Sequence, residues 1–173
     1  MPIAICGVHE VPGFADVPLD HIISFHDRDS QPGPNITAFR HPYTLHSFVF
    51  SDRGQLTDPE APTVDHIRRL LDIYATTKSD DRMLFHCLAG GSRSPAAAYI
   101  WLVYHGLGYE QAYDHLLQVQ PRSRITNEAI RPNPLMISIA DHLMNRGGQM
   151  LKYVCQRKDD MGYLQSPSAS LTF

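Results

Sequence analysis

One stretch restricts the folds open to this chain more than any other: His86-Cys87-Leu88-Ala89-Gly90-Gly91-Ser92-Arg93-Ser94. It follows an apolar run through Met83, Leu84 and Phe85, which with its flanks spans residues 82–86 and reads as a buried, central strand. It leads straight into Ser94-Pro95, a helix opening with proline in the first turn. Strand, glycine-containing loop and helix, in that order, form the unit by which α/β sheets aim loop amides and a helix dipole at an anion. Cys87 stands six positions before Arg93. A loop of that length can curl around a phosphoryl group, with the sulfur placed to attack phosphorus and the guanidinium matched to two phosphoryl oxygens.

A cysteine and an arginine at this spacing are a weak pattern alone. Histidine before the cysteine and glycine three after it make the combination strong, and neither Cys6 nor Cys155 has an arginine six residues later. Cys6 and Cys155 therefore read as buried, inert core cysteines. Three cysteines spread over the chain make no disulfide framework.

The rest of the chain supplies a setting for this unit. Residues 3–8, 21–26 and 45–50 are short, β-branched or aromatic runs that end in polar or turn residues, and each predicts a strand. Between the first two, Pro12, Gly13 and Pro18 allow at most a short helix, and prolines and Gly33 make residues 27–43 a surface loop. Asp58-Pro59-Glu60 offers a helix start, after which Val64, Ile67, Leu70, Leu71 and Tyr74 form one apolar stripe. Residues 96–104 are apolar nearly all round, so the helix after the loop is buried. A third helix is expected over residues 109–119, stopped by Pro121, and a fourth from Pro134, capped by Asn133 and ended by Gly147-Gly148. Interleaved strands and helices followed by a run of helices predict an α/β domain over residues 1–156: a mainly parallel central sheet of four to five strands, flanked by helices. Residues 157–173 read as a polar tail, partly disordered or packed as an arm.

Composition enters mainly through what it excludes. With 173 residues and 43% hydrophobic content the chain fits one domain with a proper core, and a formal net charge of -3 gives no reason to expect a nucleic-acid partner. No apolar run approaches the ~18 residues of a spanning helix, and the N-terminus lacks the basic region of a signal peptide, so no membrane partner and a cytoplasmic location are expected. The ten histidines include no compact metal-ligand pattern; neither metal nor other cofactor is expected.

The nine residues from His86 to Ser94 resemble the His-Cys-x-x-Gly-x-x-Arg-Ser/Thr signature of the cysteine-dependent protein tyrosine and dual-specificity phosphatases. The order of elements over residues 3–146 resembles their small catalytic domain, and the compact, bacterial-type tyrosine phosphatases most of all. Pro132-Asn133 before the last helix adds to the likeness. The resemblance implies a phosphotyrosine phosphatase-like fold and a phosphomonoester hydrolase acting through a cysteinyl-phosphate. Its substrate would be a phosphorylated protein or a small phosphoester, with inorganic phosphate or sulfate able to sit in the cradle.

Roles follow residue by residue. Cys87 is the expected nucleophile, its thiolate favoured by the helix N-terminus, the inward amides and Arg93. Leu88, Ala89, Gly90, Gly91 and Ser92, with Arg93, form the phosphate cradle, the glycines letting backbone approach the ligand. The resemblance implies that the Ser94 hydroxyl supports the sulfur as leaving group; Ser94 also reads as a helix cap. His86 is expected to orient the loop through hydrogen bonds, or to be a core histidine with its hydrogen bonds satisfied. A general acid must protonate the leaving oxygen. Family analogy puts it thirty to forty residues before the cysteine, where Asp52 follows the third strand; Asp58, Asp27 and Asp29 are the alternatives. Two other readings compete: a phosphate-binding pseudophosphatase without a placed acid, and a rhodanese-like sulfurtransferase. No lysine occurs at residues 88–92, which disfavours polyphosphorylated inositol lipids as substrates.

Overall fold

The computed structural model describes residues 1–29, 39–123 and 126–160. Four strands, β1 (Ile3–Gly7), β2 (His21–His26), β3 (Thr44–Val49) and β4 (Met83–Cys87), form one sheet in the order β1-β4-β2-β3. All three pairings are parallel. β4 lies inside the sheet between β1 and β2, in register Cys6 with His86 and Ile22 with Leu84, which is why it is buried throughout. The expected α/β architecture with a parallel sheet is the observed one.

Alternation along the strands divides the core between the two faces of the sheet. Ile5, Ile23, Phe25, Phe48, Met83 and Phe85 face the helices, whereas Cys6, Ile22 and Leu84 meet Val11 and Leu19 from the segment after β1. That segment forms a 3-10 helix (Val8–Phe14), the short helix its Pro-Gly content permits.

Helix α1 (Val64–Thr76) begins later than Asp58-Pro59 suggests. Thr63, behind Pro62, caps it by accepting from the His66 N–H at 3.3 Å, while the His66 ring accepts from the Thr63 N–H at 3.1 Å. Asp58 instead accepts from the Glu60 N–H at 2.9 Å and closes a turn. Ile67, Leu70 and Tyr74 are the buried stripe of α1, and the Tyr74 hydroxyl donates to Ala97 O at 2.8 Å.

Helix α2 (Arg93–Tyr104) is buried along almost its whole length, as its unbroken apolar run requires. α3 (Tyr109–Val119) and α4 (Pro134–Leu143) occupy the expected positions, with Asn133 capping α4. One further helix, α5 (Gln149–Asp160), extends into residues expected to begin a tail. Its N-terminus is capped from a distance: the buried Asp141 carboxylate of α4 accepts from Gly148 N at 2.5 Å, Met150 N at 2.6 Å and Leu151 N at 3.1 Å. Most of the loop expected over residues 27–43, and the tail beyond residue 160, lie outside the described residues. Among the described residues no helix is long and apolar enough to cross a membrane.

Candidate active site

Because the four strands are parallel, their carboxyl ends share one edge, and the loop after β4 sits in its middle. The loop is held open as a cradle by its carbonyls, each of which accepts a hydrogen bond from outside it. Leu88 O accepts from Val8 N at 3.1 Å, Ala89 O from Ser123 Oγ at 2.7 Å and Gly90 O from Gln120 Nε2 at 3.1 Å. Gly91 O accepts from Arg131 N at 2.7 Å, and Ser92 O from Asn133 N at 3.2 Å and Ala96 N at 3.0 Å. With the carbonyls tied outward, the amide dipoles of the loop turn their N–H ends toward the centre, the arrangement that binds an oxyanion.

Gly90 makes the curl possible. Its φ is +70°, and a Cβ there would stand 2.7 Å from Cys6 C and from Gly7 N, so only glycine lets the loop lie against β1. Gly91 is less constrained: a Cβ would meet Ser123 Cβ at 3.4 Å.

Cys87 is buried at the end of β4, its Sγ 3.2 Å from the Ser94 Oγ in the first turn of α2. Arg93 is also buried. Its Nη1 donates to Phe50 O at 2.7 Å and to Asp27 Oδ1 at 3.0 Å, and Nη2 reaches Asp27 Oδ2 at 3.4 Å. Its Nε is buried without a partner, a donor that an oxyanion in the cradle would satisfy. Asp52 stands across the mouth, with Oδ1 accepting from Ser92 Oγ at 2.8 Å and from Asn133 Nδ2 at 2.7 Å. Cys87, Arg93, Asp27, Asp52 and Ser92 line a cavity of about 550 Å³, together with Arg53, Leu88, Glu128 and Arg131.

No family model matches the chain, and no curated protein matches it. Solved structures do. Human DUSP28 is similar with a TM-score of 0.55 at 18% identity over 91% of this chain and 94% of that one. Tk-PTP in its active form is similar with a TM-score of 0.51 at 17% identity, over 84% and 93%.

The chain has the fold of the cysteine-dependent tyrosine and dual-specificity phosphatases.

Within this phosphatase fold the four candidate acids separate. Asp52 is hydrogen-bonded to the fifth residue of the cradle. Asp27, also in the cavity, is engaged as the carboxylate partner of Arg93 and serves the guanidinium. Asp58 pairs with Arg53 at 3.3 Å, and neither it nor Asp29 lines the cavity.

His86 departs from expectation. Its ring nitrogens are both buried without a hydrogen-bond partner, so it does not orient the loop by side-chain hydrogen bonds. Its ring meets that of His26 edge-on at 5.9 Å, on the sheet face opposite Cys87. Burial first, and then His26, lower its pKa to about 4, so it is neutral near pH 7. His26 shares a 2.6 Å contact with Ser24 Oγ and is lowered by burial and by the Arg93 charge.

The residues that sequence reasoning passed over are the scaffold of the cradle: Gln120, Ser123, Arg131 through its backbone and Asn133 beyond its cap. Gln120 and Ser123 stand on either side of Pro121-Arg122, and no sequence signal marks them, since their burial is a property of the fold. Among the described residues no group of three or more His, Cys, Asp or Glu could hold a metal ion.

Proposed function

We propose that this chain is a phosphomonoester hydrolase, a cysteine-dependent phosphatase of protein phosphotyrosine or dual-specificity type. The observation that carries the reading is the nucleophile-bearing loop with every carbonyl tied outward and an aspartate hydrogen-bonded across its mouth. A loop serving only as a turn needs no such outer shell of donors, and a pure phosphate binder needs no carboxyl group at the mouth. A rhodanese-like sulfurtransferase has no use for an acid there either.

The reaction divides in two. Phosphoryl oxygens take the loop N–H groups, the free Nε of Arg93 and its Nη2, and the Cys87 thiolate attacks phosphorus in line with the leaving oxygen. As the P–O bond breaks, Asp52 gives its proton to that oxygen, and the alcohol or phenol departs. Water then attacks the cysteinyl-phosphate, Asp52 takes a proton from it, and the S–P bond breaks to return the thiolate and inorganic phosphate. The Ser94 hydroxyl, 3.2 Å from Sγ, donates to the sulfur as charge returns to it. Asp27 keeps the guanidinium fork oriented while phosphate is absent.

Turnover of an aryl phosphate by the wild type and by Cys87→Ser tests this. Phosphate release is expected from the wild type only, with a phosphorylated cysteine recovered after rapid acid quench. Retained turnover in Cys87→Ser would overturn the mechanism. A parallel screen of phosphotyrosine and phosphothreonine peptides against phosphoinositides and nucleotides reads the substrate class, with peptides expected to lead.

A further inference from the structure

We propose that Asn133 is the positioning residue of the acid: its side-chain amide, acting with the Ser92 hydroxyl, occupies one oxygen of Asp52 and thereby assigns the transferable proton to the other. The inference rests on the reading of Asp52 as the acid.

Asn133 is buried, and every polar group it has is engaged. Its Oδ1 accepts from the Met136 N–H at 3.0 Å, which caps α4. Its backbone N–H donates to Ser92 O at 3.2 Å. Nδ2 donates one hydrogen to Asp52 Oδ1 at 2.7 Å and the other to Arg53 O at 3.0 Å. The amide cannot be turned over, because the reversed group would set oxygen against two acceptors and nitrogen against an N–H donor. One side chain thus joins the N-terminus of α4 to the segment that carries Asp52, while its backbone holds the segment that carries Cys87.

Capping accounts for only half of this. Asp and Ser cap helices as well as Asn does, so the cap alone requires no NH₂ group. The NH₂ is spent on Asp52 and on the carbonyl next to it. The Ser92 hydroxyl donates to the same oxygen at 2.8 Å, so Asp52 Oδ1 holds two donors. Whenever the carboxyl group carries a proton, the oxygen with both lone-pair directions taken is its carbonyl oxygen and the hydroxyl is Oδ2. The transferable proton therefore has one defined place, and the step needs no rotation of the carboxyl group at the moment of bond cleavage.

Asn133→Asp separates the two roles, since it retains the capping oxygen and replaces the donor by an acceptor facing Asp52 and Arg53 O. The readout is kcat/KM for two aryl phosphates, one with an activated dinitrophenol leaving group and one with unsubstituted phenol, in wild-type and Asp52→Ala backgrounds, with inorganic phosphate inhibition as a check on the cradle. The expected result is a fall of roughly 10²-fold for phenyl phosphate, the lower end of general acid catalysis. Change for the dinitrophenyl ester and for phosphate inhibition should stay below roughly 3-fold, with no further loss when Asp52 is already alanine. Equal losses for both esters, or the same loss in the Asp52→Ala background, would reduce Asn133 to a structural part and overturn the proposal. If Asn133→Asp does not fold, Asn133→Ser, a cap too short to reach Asp52, is measured in the same way. If Asp52→Ala itself leaves the leaving-group dependence unchanged, the acid reading fails and takes this proposal with it; selective loss in Asp52→Ala without it in the Asn133 variants overturns the positioning role alone.

Discussion

Gly90→Ala is the substitution for which the structure sets the cost most tightly. At φ +70° an L residue meets its own carbonyl, a penalty of roughly 1–2 kcal/mol. The new methyl would also lie 2.7 Å from Cys6 C, 2.7 Å from Gly7 N and 2.9 Å from Cys6 O, all backbone atoms of β1. No side chain can swing aside. Relief requires either that β1 part from β4, with which Cys6 and Gly7 are in register, or that the loop rise and strain the bonds Val8 N to Leu88 O and Gln120 Nε2 to Gly90 O. Overpacking of this kind costs roughly 1–3 kcal/mol, so the total is about 2–5 kcal/mol. For a domain of this size that corresponds to a fall in Tm of roughly 4–20 °C. A displacement of the cradle by a fraction of an ångström should also lower aryl phosphate turnover by about 10²-fold. Gly91→Ala is the internal control, because its methyl would make ordinary contact with Ser123, and its Tm should change by less than about 2 °C. Thermal unfolding and turnover of the two variants decide the matter: if Gly90→Ala matches Gly91→Ala in both, the cradle does not depend on close approach to β1.

Three other perturbations have defined outcomes. Asp27→Ala leaves the buried Arg93 guanidinium with Phe50 O as its remaining hydrogen-bonded partner; a loss of about 1–3 kcal/mol is expected, discounted for the partial exposure of Asp27, and saturating phosphate should recover more stability in the variant than in the wild type, so unchanged urea unfolding would refute the pairing. His86 has a folded pKa of about 4 against 6.5 when unfolded, so its contribution is fully present above pH 6.5 and is lost as pH falls toward 4; this amounts to about 3 kcal/mol, and His86→Phe should flatten the dependence of the urea midpoint on pH over that window, an unaltered slope counting against it. Asp141→Ala removes the acceptor of three N–H groups at the start of α5 and should cost roughly 2–4 kcal/mol, with early proteolysis in residues 149–160; native-like protease resistance would show that α5 holds without its distant cap.

What was legible in the chain was what local chemistry encodes. Strand β2, helices α3 and α4 and the strand-loop-helix unit around Cys87 follow from alternation, capping residues and breakers within a few positions of one another. What was hidden depends on contacts across the fold. α5 is capped by Asp141 from the preceding helix, so no cap of its own marks its start. α1 starts later than its Asp58-Pro59 signal, because the Thr63 hydroxyl accepts from the His66 N–H and the His66 ring from the Thr63 N–H, while Asp58 is used in a turn. Asp27 could be named as a carboxylate near the site, but its pairing with Arg93 joins residues 66 apart in sequence. The outer donors of the cradle, Gln120 and Ser123, carry no motif because any donor with the right reach serves.

The sheet order explains why four unrelated segments meet at one site. With every strand parallel and β4 enclosed by β1 and β2, each strand end delivers a different part to the same edge. β1 ends in Gly7-Val8, whose backbone anchors Leu88 O and abuts Gly90. β2 ends beside Asp27, which holds Arg93; β3 ends before Asp52; β4 ends in Cys87. Reversing any one strand would send its part to the far edge, roughly 17–20 Å away across a strand of ordinary length. Edge strand β3 is therefore tied to the centre through more than its pairing with β2: Phe50 O accepts from Arg93 and Asp52 from Ser92 and Asn133. Those bonds bring the segment that carries Asp52 to the loop that carries Cys87. They also predict that variants of Asn133 and Ser92 lose leaving-group protonation before they lose the fold.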